Sequence, residues 1–218
     1  GELKEHYGIH NYNVGVGGAS YMSKSGRSLI ANQVSKIDHT VDYEYIIING
    51  GVNDIWDLGT ENDTVLGEVS DLPVTSDYEA FDASTTASGM ERLFAYLKQN
   101  FPNAKIGFII TYGCDLAGYS RDNYIDLFVP LAQAVCHKWS IPYFDIVNHP
   151  VLGAEFEAHE YVHTVDGVHA NNHGYSLIVE HLAPWMLTLK RPTSVATEAT
   201  ERASDLLGGA GYNWSAAA

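Results

Sequence analysis

Apolar and polar positions follow two periods along the chain, and the switches between them mark the elements. A strand-like run covers Asn11 to Val16, a helical pattern covers Ser28 to Ile37, and a strongly apolar strand covers Tyr45 to Asn49. A helix is predicted from Ser88 to Phe101, a buried strand from Lys105 to Tyr112 and a helix from Asn123 to Trp139. Ile141 to Val147 reads as a strand, and His173 to Lys190 as a last helix stopped by Pro192. Strands alternating with helices predict a doubly wound parallel sheet with helices on both faces, a three-layer α/β/α architecture of the flavodoxin-like kind. In such sheets ligands bind at the carboxyl ends of the strands.

Two stretches leave this rhythm. Residues 57–84 carry eight acids (Asp57, Glu61, Asp63, Glu68, Asp71, Asp77, Glu79, Asp82) and no Lys or Arg, too long a run for a plain connection. It reads equally as a lid or rim over the active face and as a solvated excursion. Residues 193–218, rich in Ala, Gly, Ser and Thr, have little to bury and read as a flexible or interaction tail. The expected domain therefore spans residues 1–192.

Composition narrows the partners. With 12 Lys plus Arg against 27 Asp plus Glu, the formal charge of the 218 residues is −15, which repels phosphate backbones and anionic lipid heads. Nucleic acid is not an expected partner. No run of about 18 apolar residues occurs, so no membrane span is predicted, and Gly1 to Tyr7 lacks the apolar segment of a signal peptide. The two cysteines, Cys114 and Cys136, form neither a Cys-x-x-Cys pair nor a disulfide framework and read as buried small hydrophobes.

Candidate chemistry sits where the strands end. The first runs into Gly15-Val16-Gly17-Gly18-Ala19-Ser20, a turn whose backbone N–H groups can approach a ligand; a bare tight turn explains it as well. The second ends in Gly50-Gly51-Val52-Asn53-Asp54, placing an amide that can donate to an oxyanion, or form a turn, just past the strand. Before the last helix stands Asp166-Gly167-Val168-His169, a spacing at which the carboxylate can hold one ring nitrogen while the other acts as a general base. His159-Glu160-Tyr161-Val162-His163 formally matches a helical zinc-peptidase motif, with Glu180 as a third ligand, although Thr164, Val165 and Gly167 stop such a helix at once.

Taken in order, these pieces resemble the SGNH hydrolase superfamily, the GDSL esterases and lipases. Gly18 falls on that family's second-block glycine, Asn53 on its Gly-x-Asn-Asp block, and Asp166 and His169 on its Asp-x-x-His block, a match spanning residues 11 to 175. The resemblance implies an oxyanion hole at Gly18 and Asn53, a serine nucleophile activated by Asp166 and His169, and no metal or organic cofactor. The Gly-Asp-Ser block is absent. Only 17 residues precede Gly18, and Gly1 to Gly8 matches the end of the helix that would follow that block. The serine is therefore expected upstream of residue 1, on a central strand supplied by a separate segment or a neighbouring copy; Ser20, Ser23, Ser25 and Ser28 are not nominated. Trp56, Tyr112 and Tyr119 near strand ends are candidates for stacking on sugar rings, and the expected substrate is a small-molecule or glycan ester, with a lean to carbohydrate O-acetyl groups. A serine-less binding module is the competing reading.

Overall fold

The computed structural model describes residues 2–24, 26–60, 63–113 and 121–190. Its helices, in chain order, are α1 (Glu2–Tyr7), α2 (Val52–Trp56), α3 (Thr86–Asn100), α4 (Arg121–Asn123), α5 (Val129–Trp139), α6 (Leu152–Ala158), α7 (Glu160–His163) and α8 (Asn172–Thr188). Strands β1 (Tyr45–Asn49), β2 (Lys105–Ile110) and β3 (Tyr143–Asp145) form one parallel sheet in the order β1-β2-β3. Parallel neighbours cannot be joined by a hairpin, so α3 makes the crossover from β1 to β2 and α5 that from β2 to β3.

Side-chain alternation along β2 sets the layers. Ile106, Phe108 and Ile110 join a core with Phe94 and Leu97 of α3 and Val135 and Trp139 of α5. Ile109 points the other way, to Leu182 and Met186 of α8. On that face a Cβ at Gly107 would come within 2.7 Å of the Trp185 ring, so the glycine lets α8 lie close to the sheet. Helices thus cover both faces, giving the three-layer α/β/α arrangement that the alternation predicts. Local signals fix the helix starts: Thr85 Oγ1 accepts the Ser88 N–H at 3.0 Å before α3, and Asn171 Oδ1 the Gly174 N–H at 3.0 Å before α8. The predicted helix at Asn123 is interrupted by a π-helical turn at Tyr124–Phe128, where Pro130 has no N–H to offer the preceding carbonyls.

Three expectations are corrected. Asn11 to Val16 is not a strand, because its backbone finds side chains instead of a ladder: Asn13 Oδ1 takes the Gly15 N–H at 2.8 Å and Gln33 Oε1 the Val16 N–H at 3.1 Å. Ser28 to Ile37 is not one helix but two short 3₁₀ turns, Ile30–Asn32 and Val34–Lys36. Its start is captured by a bridge in which Ser20 donates to the Ser28 carbonyl and receives the Ile30 N–H.

The acidic stretch, thirdly, is not a solvated excursion, because its described residues are tied to the body of the fold. Leu66, Val69 and Tyr78 pack on the core, and the Val65 and Leu66 carbonyls accept the Thr86 and Ala87 N–H groups. Ser70 clamps it further: its N–H donates to Glu91 at 3.0 Å and its carbonyl accepts from Lys138 at 2.6 Å. Glu91 is fully buried in α3, a position tolerable because Lys138 of α5 forms an ion pair with it and the Trp139 indole donates to it at 3.2 Å. Cys136 of α5 is buried, its thiol pushed up to about 12 by burial, while Cys114 and Tyr119 lie outside the described residues, as does the 193–218 tail.

Candidate active site

Between α7 and α8 the chain makes a narrow loop. Thr164 and Ala170 form an antiparallel bridge, the Val165 N–H donates to the His169 carbonyl at 2.9 Å, and Gly167 occupies the tip at φ +83°, where a side chain would be strained. Asp166 Oδ1 accepts the Val168 and His169 N–H groups at 3.0 and 2.8 Å, leaving Oδ2 facing His169 Nδ1 at 2.8 Å. An ionised carboxylate can only accept, so Nδ1 carries the proton and Nε2 is left as the basic nitrogen. The His169 N–H, the His169 ring and the Val168 N–H hold the Asp166 carboxyl down at about 2. Because this value lies below the ordinary one, the interaction is whole above the usual carboxylate range and is lost only as pH falls through about 2.

Tyr112, just past β2, supports this loop. Its hydroxyl donates to the Val168 carbonyl at 2.7 Å, and its buried ring stacks on Phe156 with centroids 4.0 Å apart. One face of the ring is thus covered by Phe156, while Tyr112 still lines the cavity described below. Trp56 is half-buried at the end of α2.

Gly18 and Asn53 arrive from the opposite side. Gly51 follows β1 at φ +103°, and the Phe128 ring lies 2.0 Å from where its Cβ would stand, so only glycine permits this turn into α2. Asn53 in the first turn of α2 donates through Nδ2 to the Ala19 carbonyl at 2.9 Å, which stitches the second strand end to the glycine turn. Gly18 has φ +75°, and its N–H makes no hydrogen bond among the described residues. Gly18, Asn53, Trp56, Tyr112 and His169 all line one cavity of about 800 Å³ beyond the carboxyl ends of β1 and β2. Asp166 stands behind His169 as its orienting carboxylate.

Beside this cavity lies a slot of about 370 Å³ between residues 12–15 and the outer edge of β1, floored by Leu93 and Leu97 of α3. Gly15, Ile30, Gln33 and Asn49 line both, so the slot opens into the cavity. Gln33 is 7% exposed, and its Nε2 is a buried donor with no partner among the described residues.

Sequence reasoning missed three supports. Asp54, fully buried, accepts the Tyr21 N–H at 3.0 Å, the Met22 N–H at 3.1 Å and the Thr86 hydroxyl at 3.0 Å, so one carboxylate ties the glycine turn, α2 and α3 together. Burial raises its pKa against the lowering effect of those donors. Arg27 and Asp57 form a forked pair beside Asn53. In sequence Asp57 stands as the first acid of the long run, and its place one helical turn after Asn53 is the available signal.

The zinc motif does not assemble. His159 is exposed at the start of α7, whereas His163 is buried, with Nδ1 3.0 Å from His173 Nδ1 and Nε2 3.3 Å from Glu155. Both His163 nitrogens are therefore engaged, and Glu180 is exposed on α8. Among the described residues no group of three or more His, Cys, Asp or Glu is placed to hold a metal ion.

Comparison with known proteins adds the family. The model of the GDSL-like lipase/acylhydrolase family matches residues 2–177, a span that contains the glycine turn, the Asn53 turn and the Asp166–His169 loop. The chain belongs to this family. Membership supports hydrolase activity in general. A crystal structure of a Lactobacillus plantarum protein superposes with a TM-score of 0.63 at 20% identity, covering 84% of each chain. A second solved structure gives 0.57 at 18% identity, covering 79% of this chain and 77% of the other. At such identities the likeness is one of fold. No match was found among curated proteins. No helix among the described residues of this GDSL-like chain is long and apolar enough to cross a membrane.

Proposed function

We propose that the protein is a serine-dependent carboxylic ester hydrolase in which His169 is the general base, Asp166 orients it, and Gly18 and Asn53 form the oxyanion hole. The observation that carries this reading is the Asp166–His169 pair facing, across one cavity, two donors, one from the glycine turn and one from the turn that follows β1. A seryl hydroxyl attacks the ester carbonyl and gives its proton to His169 Nε2. The resulting imidazolium is held by Asp166 Oδ2, and the oxyanion takes the Gly18 N–H and the second Asn53 Nδ2–H. Collapse expels the alcohol, which takes the proton back from His169. Water, activated by the same nitrogen, then releases the acid and the serine.

The nucleophile in this proposal belongs to chain N-terminal to Gly1, seated as a parallel strand in the slot beside β1. Three features support that placing: β1 pairs only with β2 in the described structure, the slot opens into the cavity, and Gln33 Nε2 offers the slot a buried donor that a strand carbonyl would satisfy. The segments on either side, residues 12–15 and β1, each lead into the oxyanion residues, so a strand parallel to β1 would deliver its carboxyl end to the same cavity. For the substrate we favour a neutral carbohydrate O-acetyl ester: the net charge of −15 disfavours anionic groups, and Trp56 offers an aromatic wall. Domain limits of 1–192 remain part of the proposal.

The test is His169→Ala in the full-length gene product, assayed on a chromogenic acetyl ester with folding checked by circular dichroism. Turnover should fall on the order of 10³- to 10⁶-fold. A folded variant with near-normal turnover would overturn the assignment.

A further inference from the structure

Asn53 is held from three sides, and the chemistry of the neighbours decides which way its amide faces. Arg27 Nη1 lies 3.1 Å from Asn53 Oδ1 and 3.1 Å from the Gly18 carbonyl. Guanidinium can only donate, so the amide atom it meets is the oxygen; the Ala19 carbonyl can only accept, so the atom facing it at 2.9 Å is the nitrogen. A flipped amide would set donor against donor and acceptor against acceptor. The remaining Nδ2–H has no partner among the described residues and is left for the cavity that Asn53 lines.

Arg27 is itself fixed. Its Nε and Nη2 form a two-pronged pair with Asp57, the second contact at 2.7 Å, and Asp57 is the shared anion of a second cation, Lys24, at 3.1 Å. Lys24 also donates to Thr64 Oγ1 at 2.6 Å and reaches the Asn53 carbonyl at 3.5 Å. The Asp57 and Lys24 side chains are 8% and 5% exposed, so little solvent competes for these bonds. With Nε and Nη2 on Asp57 and Nη1 on two carbonyl oxygens, Arg27 is committed to the protein and is poorly placed to bind an anionic substrate group.

We propose that Arg27, locked by Asp57 and Lys24, is the positioning residue of the oxyanion hole: it presets the Asn53 amide and the Gly18 turn and strengthens the Asn53 donor. A cation on Oδ1 draws electron density from the amide nitrogen, so the N–H that meets the oxyanion becomes a stronger donor. Both effects act where charge develops in the transition state, so they belong in kcat and not in KM. The inference rests on the ester-hydrolase reading above.

Three variants of the full-length enzyme test it: Arg27→Gln, Asn53→Ala and the two combined, with His169→Ala as the control on that reading. Arg27→Gln should lower kcat on the order of 10-fold with KM little changed, below the roughly 10²- to 10³-fold cost of removing an oxyanion donor outright. The double variant should lose less than the product of the two single losses, because much of the Arg27 effect passes through Asn53 and only its Gly18 contact remains when Asn53 is gone. A merely structural role would give independent, multiplying losses and would overturn the proposal, as would an unchanged kcat. If Arg27→Gln fails to fold, Arg27→Lys keeps the charge but not the fork: kcat between wild type and the Asn53→Ala level supports the proposal, and wild-type kcat contradicts it. If His169→Ala stays active, the hydrolase reading itself has failed; if it is inactive while Arg27→Gln is normal, only this inference has.

Discussion

The two edges of β1 are built differently. Toward β2 it pairs through five residues, backed by buried Phe94, Phe108 and Trp139 and by the Glu91–Lys138 pair. Toward residues 12–15 it faces a slot, and the segment opposite bonds to its own Asn13 and to Gln33. The apolar pattern of Asn11 to Val16 suits a strand as well as that of β1 does. What separates them is a hydrogen-bonding neighbour, for a strand is defined by its partner and not by its own residues.

The closed side should be the expensive one to damage. Lys138→Met removes the cation from a carboxylate that cannot reach water, at a cost of about 3 kcal/mol, the lower end for a broken buried pair because the Trp139 and Ser70 donors to Glu91 remain. Urea denaturation checks it, and a change below about 1 kcal/mol would mean that Glu91 is not held as described. A finer comparison needs no mutation. Alternate N–H groups of a strand point to opposite edges, so in the 218-residue chain β1 amides directed to β2 should exchange slowly with deuterium and those directed to the slot quickly. Equal protection on both edges would show that something already pairs with the open side.

Most of the fold was legible because burial imposes periodicity. β1, α3, β2, the α5 region, β3 and α8 all lie inside the spans predicted from pattern alone or within two residues of them. Errors gathered at residues 11–37, where partners at a distance in sequence decide the backbone: Gln33 for Val16, Ser28 for Ser20. The site divides in the same way. Gly18, Asn53, Asp166 and His169 stand in short motifs with their own turn chemistry and could be named from sequence. Arg27, Lys24 and Asp57 converge across 33 residues of chain, and charges alone do not announce such a meeting. Tyr112 is legible as an aromatic at a strand end, but its stacking on Phe156 is not, since nothing local announces a partner 44 residues away.

The central claim is that Asp166, His169, Gly18 and Asn53 serve a serine delivered through the slot beside β1. The most direct measurement is to treat the full-length gene product with a fluorophosphonate, which reports an activated serine, and to locate the adduct by mass spectrometry. The account predicts a single stoichiometric adduct on a serine N-terminal to Gly1, lost in His169→Ala. An adduct on a serine within residues 1–218, or labelling that persists without His169, would contradict it.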